Sequence, residues 1–430
     1  MARIIIWPDI YKEQGHWLPC VTLGNWLKAV GHTVEFMGIP DCEKIVTPYG
    51  FTFNKILESV YPPGYSFDED QLEPQSQRWK PHHLLPIVRG ALDGVLTANN
   101  GKPAADLLIS GYFTSLETLL ISYKHRLRFA TTTTYLRHPQ DTPAMHAKTQ
   151  LVYMPPALAE KMLTTVAADA PQFWDFDQFV SRFESYPELI PCLRDFDFDD
   201  EDWRHDAKNV HYVEPMVTRP AVTALQVTIP TGKSLIYACA GSQVQDYEGR
   251  AREFFISLIN MMQTTNMGSY HLVLAVGSKL LAELLLKYPK EKQTNFTLCD
   301  WVAQPEIMGE SNTAAVFVHG GLATIKEAIS AGVPMVIVPH GKDQLDNALR
   351  VTRKGLGLVA QLEETSALGL RKLLTAVTAS SSIANNLSAM RAAFETAEGE
   401  VAGKKTAASE KVCVKLIADV LAGDPPTKTS

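Results

Sequence analysis

Apolar runs of strand length alternate with longer stretches whose apolar residues recur at helical spacing. In the first half, Arg3–Trp7, His32–Met37 and Asp106–Ser110 read as buried strands, and in the second half Ser234–Ala240, Tyr270–Val276, Ala314–Val318 and Met335–Val338 do. Between them the spacing predicts helices over Leu18–Val30, from Gly111 to about Leu127, and over Phe254–Thr264 and Lys279–Lys287. Further helices follow over Ala367–Thr378, Ser381–Thr396 and Thr406–Leu421. Pro19 suits the first turn of its helix and Gly31 its end. Strand–loop–helix units in succession predict an α/β protein with parallel, Rossmann-like sheets, whose ligand-binding loops lie at the carboxyl edge of the strands.

Three stretches break the alternation. Residues 38–89 are irregular and rich in Pro and aromatic side chains, with Tyr61, Pro62, Pro63, Tyr65, Phe67, Trp79, His82 and His83 among them; part of an acceptor pocket and a surface excursion fit equally. Phe173–Asp206 is crowded with Phe, Trp and Asp and contains D-x-D triplets at Asp175/Asp177, Asp195/Asp197 and Asp197/Asp199. Oxygen ligands at that spacing suit a hard cation. These triplets follow no buried strand, so the reading here is an amphipathic helical region with an acidic outer face. Thr218–Thr231 lacks periodicity, carries Pro220 and Pro230, and reads as a linker. A chain of 430 residues exceeds one typical core. The predicted division is 1–217, a linker over 218–231, a second domain over 232–405, a helix over 406–421 and a disordered tail over 422–430.

Composition narrows the class. The chain is 46% hydrophobic and 20% charged, which is globular rather than disordered. A net charge of -7 gives no electrostatic footprint for nucleic acid, and no apolar run reaches the length of a membrane span. The N-terminal apolar run is too short for a signal-peptide core. Cys20, Cys42, Cys192, Cys239, Cys299 and Cys413 are scattered, without metal-ligand spacing, and read as core thiols of a cytoplasmic protein. Thr231–Ser234 reads TGKS but precedes a strand and lacks the P-loop's first Gly, so it is not one.

The candidate chemistry concentrates between Val316 and Leu349. Each of the two strands there ends in a Gly-containing loop that opens a helix: His319, Gly320 and Gly321 in the first, Gly341, Lys342 and Asp343 in the second. The first helix start can hold an anion through free backbone N–H groups and its dipole. His319 and Thr324 add donors, while Glu327, Asp343 and Gln344 can accept from hydroxyls. The stretch by itself predicts a phosphate-bearing small molecule.

His319, Gly321, Thr324, Glu327, Gly332, Pro334, Asp343, Gln344, Asn347 and Ala348 also stand in register with one signature. It resembles that of the UDP-glycosyltransferase superfamily, glycosyltransferase family 1, in its membrane-anchor-free bacterial or plant form. The resemblance implies the GT-B fold, two Rossmann-like domains facing a central cleft, the second binding the nucleotide sugar, with the last helix returning to the first. Phe296–Ile307 resembles the family's W-x-P-Q segment, with Trp301 and Gln304 retained and Ala303 in place of Pro. There Trp301 would stack on uracil, the Val302 backbone would pair with the base edge, and Gln304 would reach the ribose. Ser242, after Gly241, would contact phosphate, and Asp343 and Gln344 would hold sugar hydroxyls. A metal-free diphosphate site is implied, with no cofactor beyond the UDP-sugar co-substrate.

In the first half, Gly15-His16 matches the family's G-H pair, which makes His16 the expected general base. The family's acidic partner normally follows the strand at Asp106–Ser110, where this chain has Gly111; Asp9, Asp141 and Glu117 are the candidates to replace it. Glu214 likewise stands where the family has Gly. The resemblance implies an inverting transfer of a glucose-like hexose from UDP, in preference to dTDP, to a hydroxyl of a small, largely apolar acceptor. A non-catalytic sugar-nucleotide-binding protein and a UDP-sugar 2-epimerase of the same fold are the alternatives.

Overall fold

The computed structural model describes residues 1–65, 83–98, 101, 103–166, 175–199, 209–218, 227–242, 244–361, 365–401 and 404–423. A strand buried on both faces needs helices on both faces, and β1 (Arg3–Trp7) is buried at every position. It lies in a seven-stranded parallel sheet with β2 (Thr33–Gly38), β3 (Thr52–Lys55), β4 (Leu107–Gly111), β5 (Arg128–Thr132), β6 (Glu188–Ile190) and β7 (Val210–Tyr212), ordered β3-β2-β1-β4-β5-β6-β7. The strand order reverses between β1 and β4, which pair from Ile4↔Leu107 to Trp7↔Ser110. That reversal opens a crevice at the carboxyl edge.

A second sheet is ordered β10-β9-β8-β11-β12-β13, again all parallel. Its strands are β8 (Ser234–Cys239), β9 (Tyr270–Ala275), β10 (Phe296–Cys299), β11 (Thr313–Val318), β12 (Met335–Ile337) and β13 (Gly357–Val359). Here the order reverses between β8 and β11. The chain divides into two compact units: Met1–Leu193, Asp199–Thr218 and Glu398–Ser430 form one, and Arg194–Phe198 with Arg219–Ala397 the other. No described helix is long and apolar enough to cross a membrane.

The structure departs from the expected elements in instructive places. The first helix spans Gln14–Ala29, four residues earlier than its apolar periodicity begins, so His16 is in its first turn rather than in a loop. Glu13, in extended conformation, ends the loop, and Pro19 lies deeper inside the helix than its usual first-turn position. β13 has three residues, too few for a pattern to register. The last helix spans Val412–Ala422, after the antiparallel pair Glu400–Val401 and Lys404–Lys405 and a 3-10 turn at Ala408–Glu410. Glu214 accepts from the backbone N–H groups of Val412 and Cys413, so the residue in place of a family Gly caps this helix.

In its described part, the acidic aromatic stretch is not an amphipathic helix with an acidic outer face. Its described part holds a five-residue helix, Phe176–Val180, capped by Asp175, and a 3-10 turn at Arg194–Phe196. Asp197 points inward and is 1% exposed. Residues 173–174 and 200–206 of the region lie outside the described residues, as do Phe67, Trp79 and His82 of the aromatic loop.

Candidate active site

The first unit brings its chemistry to the β1/β4 crevice. Asp9 follows β1 by two residues and is buried; its Oδ2 lies 2.5 Å from His16 Nδ1. Its other oxygen accepts from the Tyr11 backbone N–H at 3.2 Å, which fixes the carboxylate plane. A neutral His16 donating from Nδ1 to Asp9 carries its lone pair on Nε2, the arrangement a general base needs. Of the three acids open to His16, Asp9 thus makes the pair. Glu117 instead meets His83 Nε2 at 2.6 Å, and His83 Nδ1 lies 2.8 Å from the Tyr61 hydroxyl. All three of those side chains are buried, so Tyr61 and His83 of the aromatic loop are core residues rather than an exposed pocket rim.

Gly111 has a steric explanation. A Cβ there would stand 1.7 Å from the Pro8 carbonyl oxygen. The chain leaving β1 passes so close to the end of β4 that no side chain fits, and the same close passage carries Asp9.

Beside the dyad lies an aromatic group. Phe113 is 41% exposed and stacks on the His16 ring, centroids 5.3 Å apart, and on Tyr135 at 5.9 Å. His146 and Tyr112 meet it edge-on. Burial pushes the His146 imidazole below its ordinary pKa and the Tyr112 phenol above its own, so both stay neutral. Glu13 also approaches His16 Nδ1, at 3.6 Å. Asp9, Glu13 and His16 hold ligand-type atoms within 4.8 Å of one another. Two ligands of one zinc ion at ~2.1 Å each would stand roughly 3.4 Å apart. The 2.5 Å Asp9–His16 approach is closer than that and is a hydrogen-bond distance.

The second unit gathers its predicted residues at the β8/β11 crevice. His319 follows β11, and its ring fits between two glycines: a Cβ on Gly241 or on Gly321 would stand 2.5 Å from Nε2. Gly241 and Gly320 adopt positive φ, 83° and 97°. Burial, with lesser contributions from His340 and Lys342, lowers His319 to about 3, so it is a neutral imidazole. Its Nδ1 is buried with no hydrogen-bond partner among the described residues. Ser242 is exposed in the turn after Gly241. Gly321 caps the Leu322–Ala331 helix, whose first N–H groups face this loop.

Gln304 opens its own helix and joins a network. Its carbonyl oxygen accepts from the Tyr237 hydroxyl at 3.0 Å and the Cys239 thiol at 3.1 Å. Its amide donates to Thr324 Oγ1 at 3.1 Å and to the Glu327 carboxylate. Burial, only partly offset by that Gln304 bond, pushes Glu327 up to about 7. Trp301 is 42% exposed while Val302 is buried, so this stretch presents an indole and keeps its neighbour in the core.

Asp343 and Gln344 open the Gln344–Arg353 helix, and they differ. Gln344 is buried; its Oε1 accepts from the His340 and Gly341 N–H groups at 2.7 and 3.2 Å and its amide donates to Tyr247. Asp343 is less buried and accepts from Asn347 Nδ2 at 2.9 Å. Sequence reasoning missed Tyr237, Cys239, Phe113 and His340. The first two end a strand at the carboxyl edge, a position that could have been read; the others are set by packing. His340 stacks on Tyr247 at 5.1 Å, is held down to about 4 by burial, and has neither ring nitrogen paired among the described residues.

Comparison with known proteins adds an independent line. Residues 259–393 match the family model described as UDP-glucoronosyl and UDP-glucosyl transferase. UDP-glucuronosyltransferase 2A3 of Pongo abelii is 33% identical over 134 residues, 30% of this chain and 25% of that protein. UDP-glucuronosyltransferase 2A2 of Homo sapiens is 25% identical over 326 residues, 66% of this chain and 57% of that protein. The chain thus spans between a quarter and a little over half the length of these relatives. Among solved structures, the glycotransferase of kitacinnamycin superposes with a TM-score of 0.70 at 19% identity, covering 98% of this chain and 99% of the other. The calicheamicin glycosyltransferase CalG4 gives 0.66 at 18%, covering 99% and 100%. Glycosyltransferase VinC, solved with DTDP, gives 0.62 at 14%, covering 98% and 100%. The fold is GT-B.

Proposed function

We propose that this protein is an inverting glycosyltransferase that moves a glucose-like hexose from UDP to a hydroxyl of a small, largely apolar acceptor. The observation that carries catalysis, rather than binding alone, is the Asp9–His16 pair beside exposed Phe113. His16 Nε2 takes the acceptor proton as the oxygen attacks the anomeric carbon, and Asp9 stabilises the imidazolium that forms. Phe113 and Tyr135 offer the acceptor an aromatic surface next to the base. UDP leaves against Ser242, Thr324, the neutral His319 and the N–H groups of the Leu322–Ala331 helix, which together spread the diphosphate charge without calling on a metal. Trp301 stacks on uracil and the Val302 backbone pairs with its edge; the Gln304–Glu327 pair opens to accept the ribose hydroxyls, which favours UDP over dTDP. Asp343 holds the sugar, with Gln344 shaping the loop beside it.

The test is UDP release from UDP-glucose with a panel of phenols and alcohols, the wild type against His16→Ala. The expected result is turnover with at least one acceptor, a loss of roughly 100- to 10,000-fold in His16→Ala, a β-linked product and no effect of chelator. Tight UDP-glucose binding with no transfer to any acceptor overturns the enzyme reading in favour of a sugar-nucleotide-binding protein. Undiminished transfer by His16→Ala overturns the base assignment.

A further inference from the structure

The acidic aromatic stretch has a use that neither a metal site nor a solvated face accounts for. Residues 194–198 pack within the second unit although the residues flanking them belong to the first. Phe196 and Phe198 are buried, and Asp197 is 1% exposed. Asp197 Oδ1 accepts from Arg350 Nε at 2.7 Å and from the Phe198 N–H at 2.8 Å. Arg350 is itself 1% exposed, with its guanidinium 4.3 Å from the centre of the Phe198 ring. The chain of bonds continues. Arg350 Nη1 donates to Asn347 Oδ1 at 3.1 Å, and Asn347 Nδ2 donates to the Gly320 carbonyl at 3.0 Å and to Asp343 Oδ2 at 2.9 Å.

From this relay we infer that Asp197 and Arg350 are positioning residues for donor-sugar recognition, acting on Asp343 and on the Gly320 loop through Asn347. Asn347 is fully buried, and its amide has two orientations of nearly equal shape. Arg350 can only donate, so it selects the orientation with Oδ1 toward itself. That choice aims Nδ2 at Asp343 and at Gly320. The flipped amide would set an oxygen against the Asp343 carboxylate and the Gly320 carbonyl, and both would recoil. Arg350 in turn keeps its place and its charge in the core because Asp197 faces it. A buried ion pair of this kind contributes little net stability and more to a defined geometry.

The inference rests on the proposed role of Asp343 in sugar binding, and its test separates the two. Asp197→Asn leaves Arg350 charged and unpaired, so it disturbs folding and positioning together. Asp197→Asn/Arg350→Met removes both charges, fills the space, and leaves Asn347 without its orienting donor. In the double variant we expect thermal stability near that of the wild type, a UDP dissociation constant within about threefold, and a UDP-glucose dissociation constant raised about tenfold. The preference for UDP-glucose over UDP-galactose should narrow by a similar factor. Hydrogen exchange without ligand should quicken over 319–321 and 340–344. Wild-type sugar affinity, preference and exchange in the double variant would overturn the relay. If the wild type binds no UDP-sugar, the proposed function fails, and exchange over the two loops still decides whether the relay positions them.

Discussion

At the residue scale, close backbone packing explains the bare Gly111, and a neighbouring strand end supplies the acid beside His16. Pro8 fills the space where a side chain at Gly111 would be, and Asp9 supplies the carboxylate instead. Asp9→Asn should therefore lower kcat about 100-fold or more while leaving the donor KM near its wild-type value, measured by initial-rate kinetics. Restoring a side chain at the family position should not help. Gly111→Ala should cost about 3 kcal/mol of stability, at the upper end of overpacking because the clash is with backbone, seen as a lowered midpoint in urea. Glu327 gives a pH dependence. Its carboxyl, raised from about 4.5 to about 7 by burial, holds its proton longer in the folded than in the unfolded chain. The stability it contributes is full below about 4.5 and is lost as pH rises through 7, about 3 kcal/mol in all. Glu327→Gln should be more stable than the wild type at pH 8 by an amount that shrinks toward pH 5. On the proposed contact between the ionised carboxylate and the ribose hydroxyls, UDP binding should tighten from pH 6 to 8 in the wild type and stay flat in the variant, as calorimetry would show.

At the element scale, one helix is capped by a residue distant in the chain. The Val412–Ala422 helix has no cap from its own N-cap residue, Lys411; Glu214 bonds its first N–H groups from β7's end. Glu214→Ala should cost about 1–2 kcal/mol and speed amide exchange in the first turn of that helix before anywhere else. The sequence showed Glu214 only as an exception to a family pattern, because its partner is 198 residues away. The His16 helix gives the local counterpart. Apolar periodicity marks where a helix begins to bury surface, and the Gln14–Ala29 helix starts one turn before that, so the periodic pattern alone misplaced His16. Arg3–Trp7 was legible to the residue, and the other apolar runs read as strands to within one residue at each end, because burial on both faces demands a continuous apolar run.

At the scale of the whole molecule there are two sheets, each with its own reversal of strand order and its own candidate chemistry at that crevice. Saturating UDP at 100 times its dissociation constant should stabilise the unit that binds it by about 2.7 kcal/mol. Hydrogen exchange should place that gain in β8–β13 and their helices and leave β1–β7 largely unchanged. What the sequence determined by itself was the alternation of strands and helices and the candidate site stretch from His319 to Asn347, since glycine, histidine and acid positions one loop or one helical turn apart share a single local frame. Only the tertiary structure decided which acid meets His16, why Gly111 is bare, and that Asp197 reaches Arg350 across 153 residues. The physical reason is common to all three. They depend on which strand ends and segments lie side by side, and sheet order and core packing set those neighbours, whereas the spacing of residues along the chain does not.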